Sequence, residues 1–113
     1  MQFLALIYST EGQDDVDMDT LMGQYGAFGE EAGAAGVLNG GNALEAVSTA
    51  TSVRVRNGKP ELTDGPFAET KEQLGGYYML ECKDLDEALL WAAKIPSARY
   101  GTIEVRPVMV FEQ

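Results

Sequence analysis

The chain has 113 residues, 45% of them hydrophobic, which fits one folded domain (residues 1–113) with a single core and argues against intrinsic disorder. Eight basic residues stand against eighteen acidic ones, with no histidine, for a formal charge of −10. A field of that sign repels phosphate backbones, so direct nucleic-acid binding is not expected, and its first effect is to keep a small protein soluble.

Part of the negative charge is concentrated at Asp14, Asp15, Asp17 and Asp19. The longest apolar runs, Phe3–Tyr8 and Ala88–Ala93, are far too short to cross a bilayer. The N-terminal stretch lacks the basic region of a signal peptide. The expectation is a cytoplasmic protein that does not engage a membrane. Cys82 is the single cysteine, so no internal disulfide forms, and in an apolar strand it reads as core filler.

In chain order, Gln2–Tyr8 reads as a strand, apolar at every position from Phe3 onward and therefore wanting cover on both faces. Asp19–Ala35 reads as a helix with Leu21, Tyr25, Phe28, Ala32 and Ala35 on one face, Asp19 as N-cap and Gly36 just past the end. Gly23, Gly26, Gly29 and Gly33 weaken this helix by about 1 kcal/mol each and leave room for another backbone or a ligand. Val37–Leu44 is a second strand made irregular by Gly40-Gly41. Thr49–Arg56 follows, with Val53 and Val55 alternating with Arg54 and Arg56. Asn57-Gly58 is a two-residue hairpin signal, and Pro60–Thr63 is the returning edge strand.

Pro66 is placed to open a short helical turn over Phe67–Leu74. Gly75–Lys83 is a strand that is again apolar on both faces. Asp84–Ile95 is a helix opened by Asp84 with Glu87, lined by Leu85, Ala88, Leu89, Ala92 and Ile95, and stopped by Pro96. Tyr100–Phe111 is the last strand, with Pro107 placing it at an edge or bulge. The order is strand, helix, strand, an added hairpin, strand, helix, strand: an α+β, ferredoxin-like split βαβ plan. Two helices cover one face of such a sheet. The first, central and last strands, read as apolar on both faces, predict a homodimer whose two sheets form a dimeric α/β barrel.

The segment Asp64-Gly65-Pro66-Phe67-Ala68-Glu69-Thr70-Lys71-Glu72, continuing into Gln73-Leu74-Gly75-Gly76-Tyr77, resembles the signature of the DGPF branch of the YCII-related family. The ending Arg99-Tyr100-Gly101-Thr102-Ile103-Glu104-Val105-Arg106-Pro107 and the opening strand are similar to it too. The resemblance covers nearly the whole chain. It implies a ferredoxin-like fold and a dimeric α/β barrel but no particular reaction, and relatives occur beside or fused to alternative sigma factors. Some wider relatives have been proposed to use a His–Asp pair in a cleft. Here the histidine slot falls at Tyr25 and the Asp-Pro slot at Ile95-Pro96, so both members of the pair are absent.

Candidate site residues follow. Asp64 either accepts backbone hydrogen bonds in a Gly65-Pro66 bend or faces a cleft as a binding or catalytic carboxylate. Glu69, Lys71 and Glu72 form either a solvated loop or a flap over a pocket, with Glu69 as base and Lys71 as an anion contact. Without histidine, a general base near neutral pH must be a carboxylate, lysine or tyrosine with a shifted pKa. Tyr25 is a core residue or a pocket residue whose hydroxyl needs a partner. Phe67 is a pocket wall, and Arg99 pairs with a carboxylate or binds a carboxylated ligand. No zinc, haem or other cofactor is expected, and Gly40-Gly41 and Gly75-Gly76 are strand irregularities rather than phosphate loops. Two readings stand: a small-molecule-binding protein or minor enzyme, and a regulatory or protein-interaction module linked to a sigma factor.

Overall fold

The computed structural model describes residues 1–12 and 17–111. Asp14 and Asp15 lie outside the described residues. The elements are β1 (Gln2–Ser9), α1 (Met18–Ala34), β2 (Leu38–Ala43), β3 (Thr51–Arg56), β4 (Lys59–Asp64), β5 (Gln73–Glu81), α2 (Leu85–Ala92) and β6 (Thr102–Pro107). Single 3-10 turns stand at Val47–Thr49 and Pro96–Arg99.

Four strands form one sheet in the order β2-β5-β1-β6, with antiparallel neighbours throughout. β5 thus sits between β1 and β2, the two strands joined through α1, which is the split βαβ arrangement. β3 and β4 form a separate two-stranded hairpin. The sheet is open, with β2 and β6 as its edges, and no sheet closes into a barrel. The dimeric α/β barrel expected from the sequence is therefore not the architecture. One reason is visible in β6, where Ile103 and Val105 pack against the core while Thr102, Glu104 and Arg106 are exposed. The last strand alternates and is not apolar on both faces.

The core lies on one side of the sheet. Phe3, Ala5, Ile7 and Leu80 meet Phe28 and Ala32 of α1, Ala88 of α2, and Ile95. On the other side Leu4, Leu6 and Tyr8 pair with Met79, Tyr77 and Leu74, all half-buried. These residues bear out the two-faced reading for β1 and β5.

Local chemistry sets the element ends. α1 is capped by Asp17, not Asp19: the Asp17 carboxylate accepts from the Thr20 amide at 3.3 Å and its hydroxyl at 2.5 Å. Asp84 accepts from the Glu87 amide, and the Glu87 carboxylate accepts from the Lys83 amide, both at 2.9 Å. α2 ends at Ala92, with Ala88 and Ala92 buried, Trp91 packed on the core, and Leu85 and Leu89 exposed. Asn57 and Gly58 both take positive φ, as a type I′ hairpin turn requires. Residues 65–72 form bends rather than the helical turn expected after Pro66.

Candidate functional site

The glycines that make room are in the strands, not in α1. A Cβ on Gly23, Gly26, Gly29 or Gly33 would meet open space, so no backbone approaches them. A Cβ on Gly41 would lie 2.5 Å from the Tyr77 carbonyl oxygen, and one on Gly76 would lie 3.0 Å from that of Asn42. The ladder is irregular at both places, between Leu38 and Gly41 and between Ile7 and Tyr8 opposite Gly75-Gly76. With little side-chain volume there, a cleft of about 370 Å³ opens between the sheet and the first turns of α1, lined by Met18, Leu21 and Tyr25 on the helix side. It shares Ser9, Met18, Leu21, Gly75 and Ser97 with an adjoining space of about 510 Å³ that reaches Glu11, Glu45 and Tyr100.

The cleft has a polar centre. The Tyr25 hydroxyl and Ser97 Oγ lie 2.6 Å apart, a hydrogen bond in which either atom donates. Ser97 is 7% exposed and is brought there by the 3-10 turn that Pro96 opens after α2. Tyr78 stands beside them, its ring centroid 6.4 Å from Tyr25 and 5.2 Å from Phe28. Burial, and secondarily the neighbouring Tyr25, push the Tyr78 phenol above its ordinary pKa, so it stays protonated at neutral pH. Glu11 accepts from the Val47 amide at 3.0 Å and so ties the β1 end to the segment before β3. The arrangement offers aromatic walls, apolar flanks and neutral hydrogen-bonding groups. It suits holding a ligand rather than moving protons rapidly. No group of three or more His, Cys, Asp or Glu residues is placed to hold a metal among the described residues.

The expected site residues are scattered. Tyr25 is in the cleft. Phe67 is 79% exposed and lines a different, wider space of about 710 Å³ with Tyr8, Leu44 and Leu74. That space is larger, but we favour the Tyr25 cleft because it has the partly buried hydroxyl pair. Asp64 ends β4 opposite Thr51, exposed, and lines neither space; its carboxylate accepts no hydrogen bond among the described residues. Glu69 and Lys71 are exposed, and the Lys71 carbonyl accepts from Thr10 Oγ1 at 3.3 Å. Arg99 is exposed in a shallow groove with Gln24, Glu31 and Lys94, apart from the Tyr25 cleft. Ser97, Tyr78 and the strand glycines were missed in sequence. The available signal was position: Ser97 directly follows Pro96, which opens the 3-10 turn after α2.

The fold and cleft define a small α+β domain with a ligand-sized space between its first helix and its sheet. The chain belongs to the YCII-related domain family, whose model matches residues 1–112. It is 42% identical over 71 residues to an uncharacterized protein of Rhizobium meliloti (strain 1021), a match spanning 61% of this chain and 57% of that protein. It is also similar in structure to the 5-chloro-2-hydroxyhydroquinone dehydrochlorinase of Burkholderia phenoliruptrix AC1100, solved in complex with 2,5-dihydroxybenzoquinone. That match has a TM-score of 0.57 and 16% identity, covering 96% of this chain and 94% of that one. At that identity the likeness shows the fold. No helix here is long and apolar enough to cross a membrane among the described residues.

Proposed function

We propose that this protein, of the DGPF branch on its Asp64–Glu72 segment, binds a small, neutral, hydroxylated aromatic compound in the cleft between α1 and the sheet. The observation that carries this is the Tyr25–Ser97 hydroxyl pair at 2.6 Å, sitting under aromatic walls. A ligand hydroxyl replaces one partner of that pair while its ring packs on Tyr25 and Tyr78. The ring-sized dihydroxyquinone held by the dehydrochlorinase of similar fold supports the ligand's size. Glu11 and Glu45 at the mouth, in a chain of charge −10, favour a neutral phenol over an anionic quinone. Any chemistry on the ligand would draw on a tyrosine hydroxyl of the cleft.

Thermal shift with phenol, catechol, hydroquinone and 2,5-dihydroxybenzoquinone tests the reading. At ten times its Kd a bound compound adds about 1.4 kcal/mol of stability and raises Tm by about 5 °C. The neutral phenols are expected to shift the wild type, and Tyr25→Phe to lose most of that shift. No shift with any of the four, or equal shifts in Tyr25→Phe and Ser97→Ala, overturns it.

We also infer that the chain functions as a homodimer, which the exposed apolar surface favours. A second reading, a protein-interaction module, rests on the same surface, notably exposed Phe67 and Leu62.

A further inference from the structure

We propose that the wider space beside Phe67 is a second binding site, separate from the Tyr25 cleft, and that it takes a small amine: a monocation carried on an apolar body.

The insertion between β2 and β5 builds this space. On the open side of the sheet Tyr8 lies opposite Leu74, both half-buried, and both line it. The leg entering the β3–β4 hairpin supplies Leu44, Val47 and Ala50, and the leg leaving it supplies Pro66, Phe67 and Ala68. The Gly65 amide donates to Ala50 O at 2.7 Å and Ser52 Oγ donates to Gly65 O at 2.8 Å, which ties the two legs together. Each leg is also tied to the main sheet or its end. The Leu44 amide donates to Gly75 O at 2.9 Å, and Thr10 Oγ1 donates to Lys71 O at 3.3 Å. The Asp64–Glu72 segment thereby gains a use that the Tyr25 cleft does not give it. Its apolar members wall a space of about 710 Å³, a volume that suits a small ligand. Among the described residues only Ala43 lines both this space and the Tyr25 cleft, so each can be filled without the other.

Charge selects the occupant. Among the described residues Glu45 is the one charged side chain lining the space. It is outside the ion pairs found among them, Met1–Glu81 and Lys94–Glu31. Glu11 comes to the same wall from the end of β1, its carboxylate accepting from the Val47 amide. A neutral apolar ligand would strip water from Glu45 and leave its carboxylate unpaired, which costs free energy. An anionic ligand would add repulsion, in a chain of charge −10. An ammonium group on Glu45 offsets the desolvation, while its hydrocarbon covers Leu44 and Phe67, which are 48% and 79% exposed. The rings of Tyr8 and Phe67 add aromatic surface of the kind that attracts a cation.

Calorimetric titration with n-octylammonium, octan-1-ol and octanoate, paired with amide-resolved NMR, tests the site. Octylammonium is expected to bind about fivefold or more tighter than octanol, and octanoate more weakly than either. Its NMR shifts should fall on residues 44–50 and 66–74, and Tyr25→Phe should leave its affinity unchanged. Glu45→Gln, at an exposed position, should erase the advantage over octanol. Phe67→Ala should weaken both compounds about threefold or more. Salt should weaken octylammonium and not octanol. Nα-acetyl-lysinamide, which stands in for a lysine offered by a protein partner, should bind about tenfold more weakly than octylammonium, because its apolar stem is shorter. Octylammonium no tighter than octanol, an undiminished advantage in Glu45→Gln, shifts at Tyr25 and Ser97 in place of the Phe67 segment, or a preference for the lysinamide overturns the proposal. So does an absence of binding at millimolar octylammonium, as when a second copy of the chain covers the space.

Discussion

The hydroxyl pair Tyr25–Ser97 concentrates what is specific to this cleft. Tyr25 stands out in sequence because a tyrosine on the apolar face of a helix needs a hydrogen-bond partner. Ser97 does not, since nothing in a Pro-Ser-Ala run reveals that a 3-10 turn buries its side chain against α1. A double-mutant cycle of Tyr25→Phe and Ser97→Ala, followed by urea denaturation, is expected to give a coupling of about 0.5–1.5 kcal/mol, and zero coupling would mean the bond contributes nothing. At the start of α1, the Thr20 hydroxyl and amide hold the Asp17 carboxyl below its ordinary pKa. A depressed folded pKa stabilises above the unfolded value and loses that stabilisation as pH falls through the folded value. Asp17→Asn keeps an acceptor but does not titrate, so its stability should fall less steeply than wild type below about pH 4. Equal acid limbs in the two proteins would remove Asp17 from the account.

At the level of elements, most of the fold was legible because its signals are local. Period-two alternation marks β3, Asn57-Gly58 marks the hairpin turn, and Asp84 with Glu87 marks the start of α2. The site was less legible because it depends on register. That Gly41 lies opposite Tyr78 and Gly76 opposite Ala43 follows from pairing between strands more than thirty residues apart in sequence. The segment after Asp64 shows the limit from the other side. Pro66 permits a helical first turn, but the chain bends instead and ends in hydrogen bonds from Gln73 Nε2 to Thr70 O and from Thr102 Oγ1 to Glu72 Oε1. Because a Cβ at Gly41 collides with the Tyr77 carbonyl, Gly41→Ala should destabilise the protein by about 1–3 kcal/mol in urea unfolding. A change within about 0.5 kcal/mol would show that β2 gives way easily, and that the bulge does not shape the cleft.

For the whole molecule, two helices cover one face of an open four-stranded sheet, and the cleft lies at one end of the covered side, where strand glycines thin the packing. The half-buried apolar residues on the opposite face of β1 and β5 are what favour the proposed self-association. The barrel expected from the sequence failed on β6, whose outward residues Thr102, Glu104 and Arg106 are polar. In the proposed function the Tyr25 cleft, and not the wider space beside Phe67, holds the ligand. Amide-resolved NMR titration with catechol tests it most directly. Binding in this cleft should give concentration-dependent shifts at Leu21, Tyr25, Gly75, Gly76 and Ser97. Shifts confined to residues 66–74, or none at millimolar catechol, would contradict it.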